Sequence, residues 1–186
     1  PRLPEQRPTL FPTVNVARDV GWPAGEHPVA ATGLDVGAFA EGLDHPRWIY
    51  VLPNGDVLVA ESNAPPRPKG NTSIRRMVMN QMKKRAGAGT PSANRITLLR
   101  DADGDGRAEV RNVFLRDLHS PFGMTLVGDT FYVANADALV RFPYASGQLQ
   151  ITAPPQVVTA LPAGRNHHWT KNVIASRDGS KLYVTV

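Results

Sequence analysis

A phrase that recurs three times along the chain constrains its fold more than any other feature. His45-Pro-Arg-Trp48 leads into Ile49-Tyr-Val-Leu52, a turn at Asn54-Gly55-Asp56 and Val57-Leu-Val-Ala-Glu61. Ser120-Pro-Phe-Gly-Met124 leads through a strand to Gly128-Asp129 and Phe131-Tyr-Val-Ala-Asn135. His168-Trp-Thr-Lys171 opens a third copy, through Asp178-Gly179 to Lys181-Leu-Tyr-Val-Thr-Val186. Asn-Gly between two runs of β-branched and aromatic residues is a strong hairpin signal. Two more strand-like runs follow each of the first two copies: Arg95 to Leu99 with Val110 to Leu115, and Leu139 to Phe142 with Gln156 to Leu161. Four antiparallel strands per repeat define a blade, so the expected fold is all-β, a β-propeller of four-stranded blades.

The spacing of the turns divides the chain. Gly128 and Gly179 stand one blade apart, at ~40 to 50 residues. Gly55 and Gly128 are further apart by an insertion of about 20 to 30 residues over that blade length. The insertion is placed at about 66–93, where Ile74, Met77, Val78 and Met82 follow helical spacing and predict one short amphipathic helix over 70–90. Residues 1–37, rich in proline and without periodicity, read as an extended arm, and 38–186 as a partial propeller. A ring needs ~4 to 8 blades, so the expectation is about the first half of a larger protein whose remaining blades lie beyond this chain.

Composition matters where charge suggests a partner. The net charge of +5 would fit a nucleic-acid-binding protein if it were spread over the fold. It is concentrated instead between Glu61 and Asp101, where Arg67, Lys69, Arg75, Arg76, Lys83, Lys84, Arg85, Arg95 and Arg100 meet no acidic residue. The segment reads as a solvated helix face or as a contact for an anionic surface, and no nucleic-acid partner is expected. No apolar run is long enough for a transmembrane helix, and the chain starts at Pro1 without a charged-then-apolar leader, so either a leader has been removed or the chain is a fragment. With no cysteine, any metal must be held by oxygen or imidazole.

Two motifs carry candidate chemistry. Asp101, Asp103 and Asp105 alternate with Gly104 and Gly106, and Glu109 follows, as in the first half of a Ca²⁺-binding loop. Asn112 stands where such a loop has its bidentate Glu, and strands flank it, so a structural Ca²⁺ site and an ordinary acidic turn between outer strands both fit. The second motif is Asn166-His167-His168-Trp169 at the head of the third repeat. An imidazole there is either a general base or a hydrogen-bonded structural histidine. His45 and His119-Ser120 hold the comparable places in the first two repeats, so polar groups from three blades are expected to converge.

Taken together, GLDHPRWIYVLPNGDVLVAES, SANRITLLRDADGDGRAEVRNVFL, SPFGMTLVGDTFYVANADALVRFPY and NHHWTKNVIASRDGSKLYVTV resemble the sorbosone dehydrogenase branch of the soluble pyrroloquinoline quinone (PQQ) glucose dehydrogenase family, over about 38–186. The resemblance implies a six-bladed propeller with PQQ and Ca²⁺ in its central depression. It also implies oxidation of an aldose or sugar aldehyde by hydride transfer to the quinone, electrons passed to an acceptor, and a periplasmic or secreted location. It makes His168 the general base, with Asn172 and Tyr183-Val184-Thr185 completing the family pattern, and puts cofactor contacts at His119, Ser120 and Asn166. A glutamine is usual near His119 and Ser120, and the family's PQQ-binding arginine and Ca²⁺-binding carbonyls belong to later blades, so this chain alone is expected to be inactive. A lactonase-type Ca²⁺-dependent hydrolase recruiting Glu61, Asn135 and Asn172, and a non-catalytic binding propeller, are the competing functions.

Overall fold

The computed structural model describes residues 20–23, 25–66, 77, 81–82, 90–163 and 168–186. Ten strands are assigned: β1 Pro46–Val51, β2 Val57–Glu61, β3 Arg95–Arg100, β4 Val110–Leu115, β5 Met124–Val127, β6 Thr130–Ala134, β7 Ala138–Pro143, β8 Gln156–Ala160, β9 Val173–Ala175 and β10 Leu182–Val184. They form two four-stranded antiparallel sheets, β1-β2-β3-β4 and β5-β6-β7-β8, and a third pair, β9 with β10. These are two blades and the start of a third, a partial β-propeller. All ten belong to one compact unit, Trp22–Gly70 with Thr90–Val186; Pro1–Gly21 with Asn71–Gly89 form another. The helix expected over 70–90 lies largely outside the described residues; Met77, Gln81 and Met82 are helical there.

Local chemistry sets the hairpins. Leu52 accepts the Gly55 N–H at 2.9 Å, and Ser176 that of Gly179 at 2.9 Å, with both glycines left-handed (φ +90° and +70°). That conformation is nearly free for glycine and strained for other residues. Gly128 alone turns the two-residue β5–β6 loop, at φ +54°. The repeat extends to an irregularity the sequence gives no sign of. The β3–β4 ladder slips between Ile96 and Thr97 and the β7–β8 ladder between Leu139 and Val140, the same place in each blade, leaving Phe114 and Val158 as the extra residues.

Strand alternation divides each blade between two seams. On β6, Phe131 and Val133 join Leu58, Ile96, Leu98, Phe114 and Met124 between the first two blades, while Tyr132 and Ala134 turn toward Leu139 and Val173 of the next seam. Phe114 meets Phe131 edge-on at 5.5 Å between centroids. Each such fully buried side chain contributes roughly 1.5–3 kcal/mol. The described residues 20–38 carry no strand and are largely exposed, and from Phe39 the chain is tied to the first blade: Ala108 donates to the Phe39 carbonyl (2.9 Å), and Arg111 to those of Glu41 (3.0 Å) and Gly42 (2.8 Å).

Candidate active site at the leading ends of the inner strands

Antiparallel order sends the loops to two opposite ends. The approaches to β1, β5 and β9 and the β2–β3 and β6–β7 connections share one end, called the mouth below. Bonds across the blades confirm this: the Ser62 hydroxyl donates to the Pro121 carbonyl (2.5 Å), Ser120 N–H to Asn94 Oδ1 (2.9 Å), and Gly123 N–H to the Lys171 carbonyl (2.9 Å). The β1–β2, β3–β4, β5–β6 and β7–β8 turns lie at the other end, where Arg100 reaches the Gly147 carbonyl at 3.2 Å.

The mouth gathers His45, His119, Ser120 and His168 from the three repeats. His45 and Ser120 are both left-handed, at φ +55° and +47°, an unusual conformation for residues other than glycine and one that occurs at functional turns. His168 is exposed. The His119 ring is half exposed, and its Nδ1 lies 2.8 Å from Asp137 Oδ2. Ser120, by contrast, is buried, and its hydroxyl has no partner. Asn166 and His167 lie outside the described residues.

Three aromatic rings span the mouth, one ahead of or within each inner strand. Trp48 stands 5.1 Å from Phe122, Phe122 6.4 Å from Trp169, and the Arg47 guanidinium lies 5.3 Å from the Trp169 ring centre. Lys171, two residues after Trp169, is fully buried with its ammonium unpartnered. The first inner strand approaches the second through Trp48 and through Tyr50, whose hydroxyl accepts the Leu126 N–H at 3.0 Å. The second approaches the third at Gly123, where an added Cβ would stand 2.3 Å from Asn172 Oδ1 and 2.5 Å from Val173 N.

The carboxylate at the mouth end of β2 is already committed. Glu61 is fully buried and accepts bonds from Arg95 Nε (3.0 Å) and Nη2 (2.8 Å), the Thr97 hydroxyl and the Asp44 N–H. Burial alone pushes its carboxyl up, but the bonds from Arg95, Thr97 and Asp44 together hold it below the usual range. Glu61 therefore has no oxygen to spare for a metal ring in the channel. The side-chain carbonyl oxygens of Asn135 and Asn172 each accept a backbone N–H, from His119 (3.3 Å) and Val173 (2.9 Å). Arg95 and Arg100 also leave the basic segment read from the sequence. They are strand residues, Arg95 paired with Glu61 and Asp44, and Arg100 holding the buried Asp56 carboxylate at 2.6 and 2.8 Å.

Asp101, Asp103 and Asp105 sit at the end opposite the mouth, in the turn from β3 to β4. With Glu109 each offers a carboxylate oxygen, and these lie within 4.8 Å of one another. Backbone amides already hold the group: Gly106 N–H (2.9 Å) and Gly104 N–H (2.7 Å) bond Asp101, lowering its carboxyl, and Ala102 N–H bonds Glu109 at 2.7 Å. The donor set is of the oxygen type a hard cation takes, and it lies at the end opposite the mouth.

The fold matches parts of two solved structures. The chain matches the holo PQQ domain of pyranose dehydrogenase from Coprinopsis cinerea with a TM-score of 0.50 at 18% identity, covering 75% of this chain and 26% of that one. It matches a Trichoderma reesei carbohydrate-active enzyme of family AA12 with a TM-score of 0.59 at 17% identity, covering 85% of this chain and 34% of that one. The chain thus spans about a quarter to a third of the length of these proteins. No protein-family model matches the chain, and no curated protein matches its sequence. Among the described residues no helix is long and apolar enough to cross a membrane.

Proposed function

We propose that this chain is the leading part of a PQQ-dependent oxidoreductase that oxidises an aldose or sugar aldehyde of the sorbosone type, in the periplasm or outside the cell. The observation that carries this reading is the mouth: three repeats bring histidines, aromatic rings and cations to one end of a fold shared with a PQQ domain. PQQ is a planar, anionic quinone. The rings of Trp48, Phe122 and Trp169 and the Arg47 guanidinium supply the flat and cationic surfaces such a molecule requires. His119, Ser120 and Asn166 are assigned to its rim. When bound, the quinone supplies the hydride acceptor.

His168 takes the proton of the reacting hydroxyl. Its exposed imidazole suits that task. Ca²⁺ is assigned to the Asp101, Asp103, Asp105 and Glu109 turn as a structural ion. Adding PQQ and Ca²⁺ to the full-length protein and following dye reduction with aldoses and sugar aldehydes tests the reading. Reduction that needs both quinone and sugar is the expected outcome; no reduction with any sugar or aldehyde overturns it.

A further inference from the structure

The first inner strand slips by one residue at the mouth. Pro46 pairs with Glu61 and Trp48 with the adjacent Ala60, so Arg47 is the extra residue of a bulge in β1. Successive side chains of a strand alternate between faces, and a bulge re-aims the residue it inserts. Trp48 lies 5.1 Å from Phe122, while the neighbouring Arg47 places its guanidinium over the Trp169 ring, 5.3 Å from its centre. A guanidinium within about 6 Å of a ring centre is drawn to the ring's face, and its planar fork stacks there. Phe122 meets the same indole edge-on, at 88° and 6.4 Å. Side chains of the first and second repeats thus both hold one ring of the third. Trp169 directly follows His168 in the chain. Further along, the approach to β9 is held through its backbone: Gly123 N–H bonds the Lys171 carbonyl at 2.9 Å, and Asn172 N–H bonds the Thr185 hydroxyl at 3.1 Å. At Trp169 the hold passes to side chains.

We propose that Arg47 is a positioning residue for His168, acting through Trp169. The bulge in β1 aims the guanidinium, the guanidinium and Phe122 fix the indole, and the indole sets the backbone from which the exposed His168 imidazole projects. A single contact of this kind is weak, and its leverage is geometric: moving a reacting group by about 1 Å costs on the order of 10²-fold in rate. The part of Arg47 in catalysis rests on the oxidoreductase reading, in which His168 takes the substrate proton, whereas its hold on His168 does not.

The test has two arms, both on the full-length protein. Without quinone or substrate, nitrogen-15 histidine spectra, with His168 assigned through His168→Gln, report the surroundings of its imidazole. Arg47→Met should move the His168 signals and leave those of His27, in the exposed arm, in place. Arg47→Lys, which keeps a cation over the ring, should move them less. In the enzyme at saturating quinone, Arg47→Met should lower kcat by about 10-fold and leave KM within about twofold, with Arg47→Lys losing less. Arg47→Met combined with Trp169→Leu should lose no more than Trp169→Leu alone, because one residue acts through the other, whereas a guanidinium acting directly on the quinone would add its own loss. Arg47 is exposed, so Arg47→Met should melt with the unsubstituted protein. His168 signals unmoved in Arg47→Met overturn the proposal, as do losses in kcat that add in the double variant. If the signals move as stated but the unsubstituted protein binds no quinone and oxidises no sugar, the oxidoreductase reading fails and takes with it the part of Arg47 in catalysis.

Discussion

At the residue scale, the polar interior is organised by charges that the sequence presents as scattered. Arg95 looks like one more member of a basic run, yet it neutralises the buried Glu61. Removing it leaves a carboxylate without a counter-charge, and Arg95→Ala should cost about 3 kcal/mol, read from the urea midpoint. Glu61 is held below its ordinary value of 4.5, so its contribution is complete above that pH and is lost as pH falls through the depressed value. Glu61→Gln should therefore be less stable at neutral pH and less sensitive to acid than the unsubstituted protein. His168 belongs to the same scale. In the loaded full-length enzyme His168→Ala should lower kcat by ~10²- to 10⁴-fold with quinone binding retained, checked by steady-state kinetics and cofactor absorbance. Such assignments were only partly legible: the positions of His168 and His119 follow from the repeat, whereas Asp137 as a partner and the left-handed turns at His45 and Ser120 follow from tertiary contacts that local periodicity does not encode.

At the element scale the reverse holds. The strands were legible because alternation and Asn-Gly or Asp-Gly turns are local signals, and β4, Val110–Leu115, falls where the sequence places it. The approach of β5 to β9 was not, since a glycine in a Pro-Phe-Gly phrase reads equally well as a turn. Gly123 is needed because another backbone lies against it. Gly123→Ala should destabilise by about 1–3 kcal/mol through forced separation of the second and third blades, seen as a lower thermal midpoint with strand content retained. The Asp101–Glu109 turn makes a different prediction. If it holds Ca²⁺, adding the ion should raise the melting temperature with concentration as binding to the folded state requires, and Asp103→Asn should blunt the rise. An unchanged melt with millimolar Ca²⁺ removes the metal from the assignment.

For the whole molecule, the faces at the two ends of the blade series are the exposed ones. Ile49 and Val51 of β1 are 63% and 59% exposed, and Ile174 of β9 and Tyr183 of β10 are 59% and 53% exposed, while Leu58 of β2 and Phe131 and Val133 of β6, which lie between blades, are buried. Apolar sheet faces and unpaired strand edges drive association. The 186-residue chain expressed alone should self-associate, and Ile49→Lys with Val51→Lys should shift it toward monomer in sedimentation velocity.

The slip that leaves Phe114 and Val158 unmatched at the same place in both blades also acts as a phase reset. Each sheet sets its own outer-strand alignment locally, at its third strand, so the length of chain threaded between β2 and β3 has no bearing on which residues face each other downstream. A blade of this kind can carry connections of widely different length at its mouth while its ladders stay in step, which allows the recognition surface to vary independently of the frame that supports it.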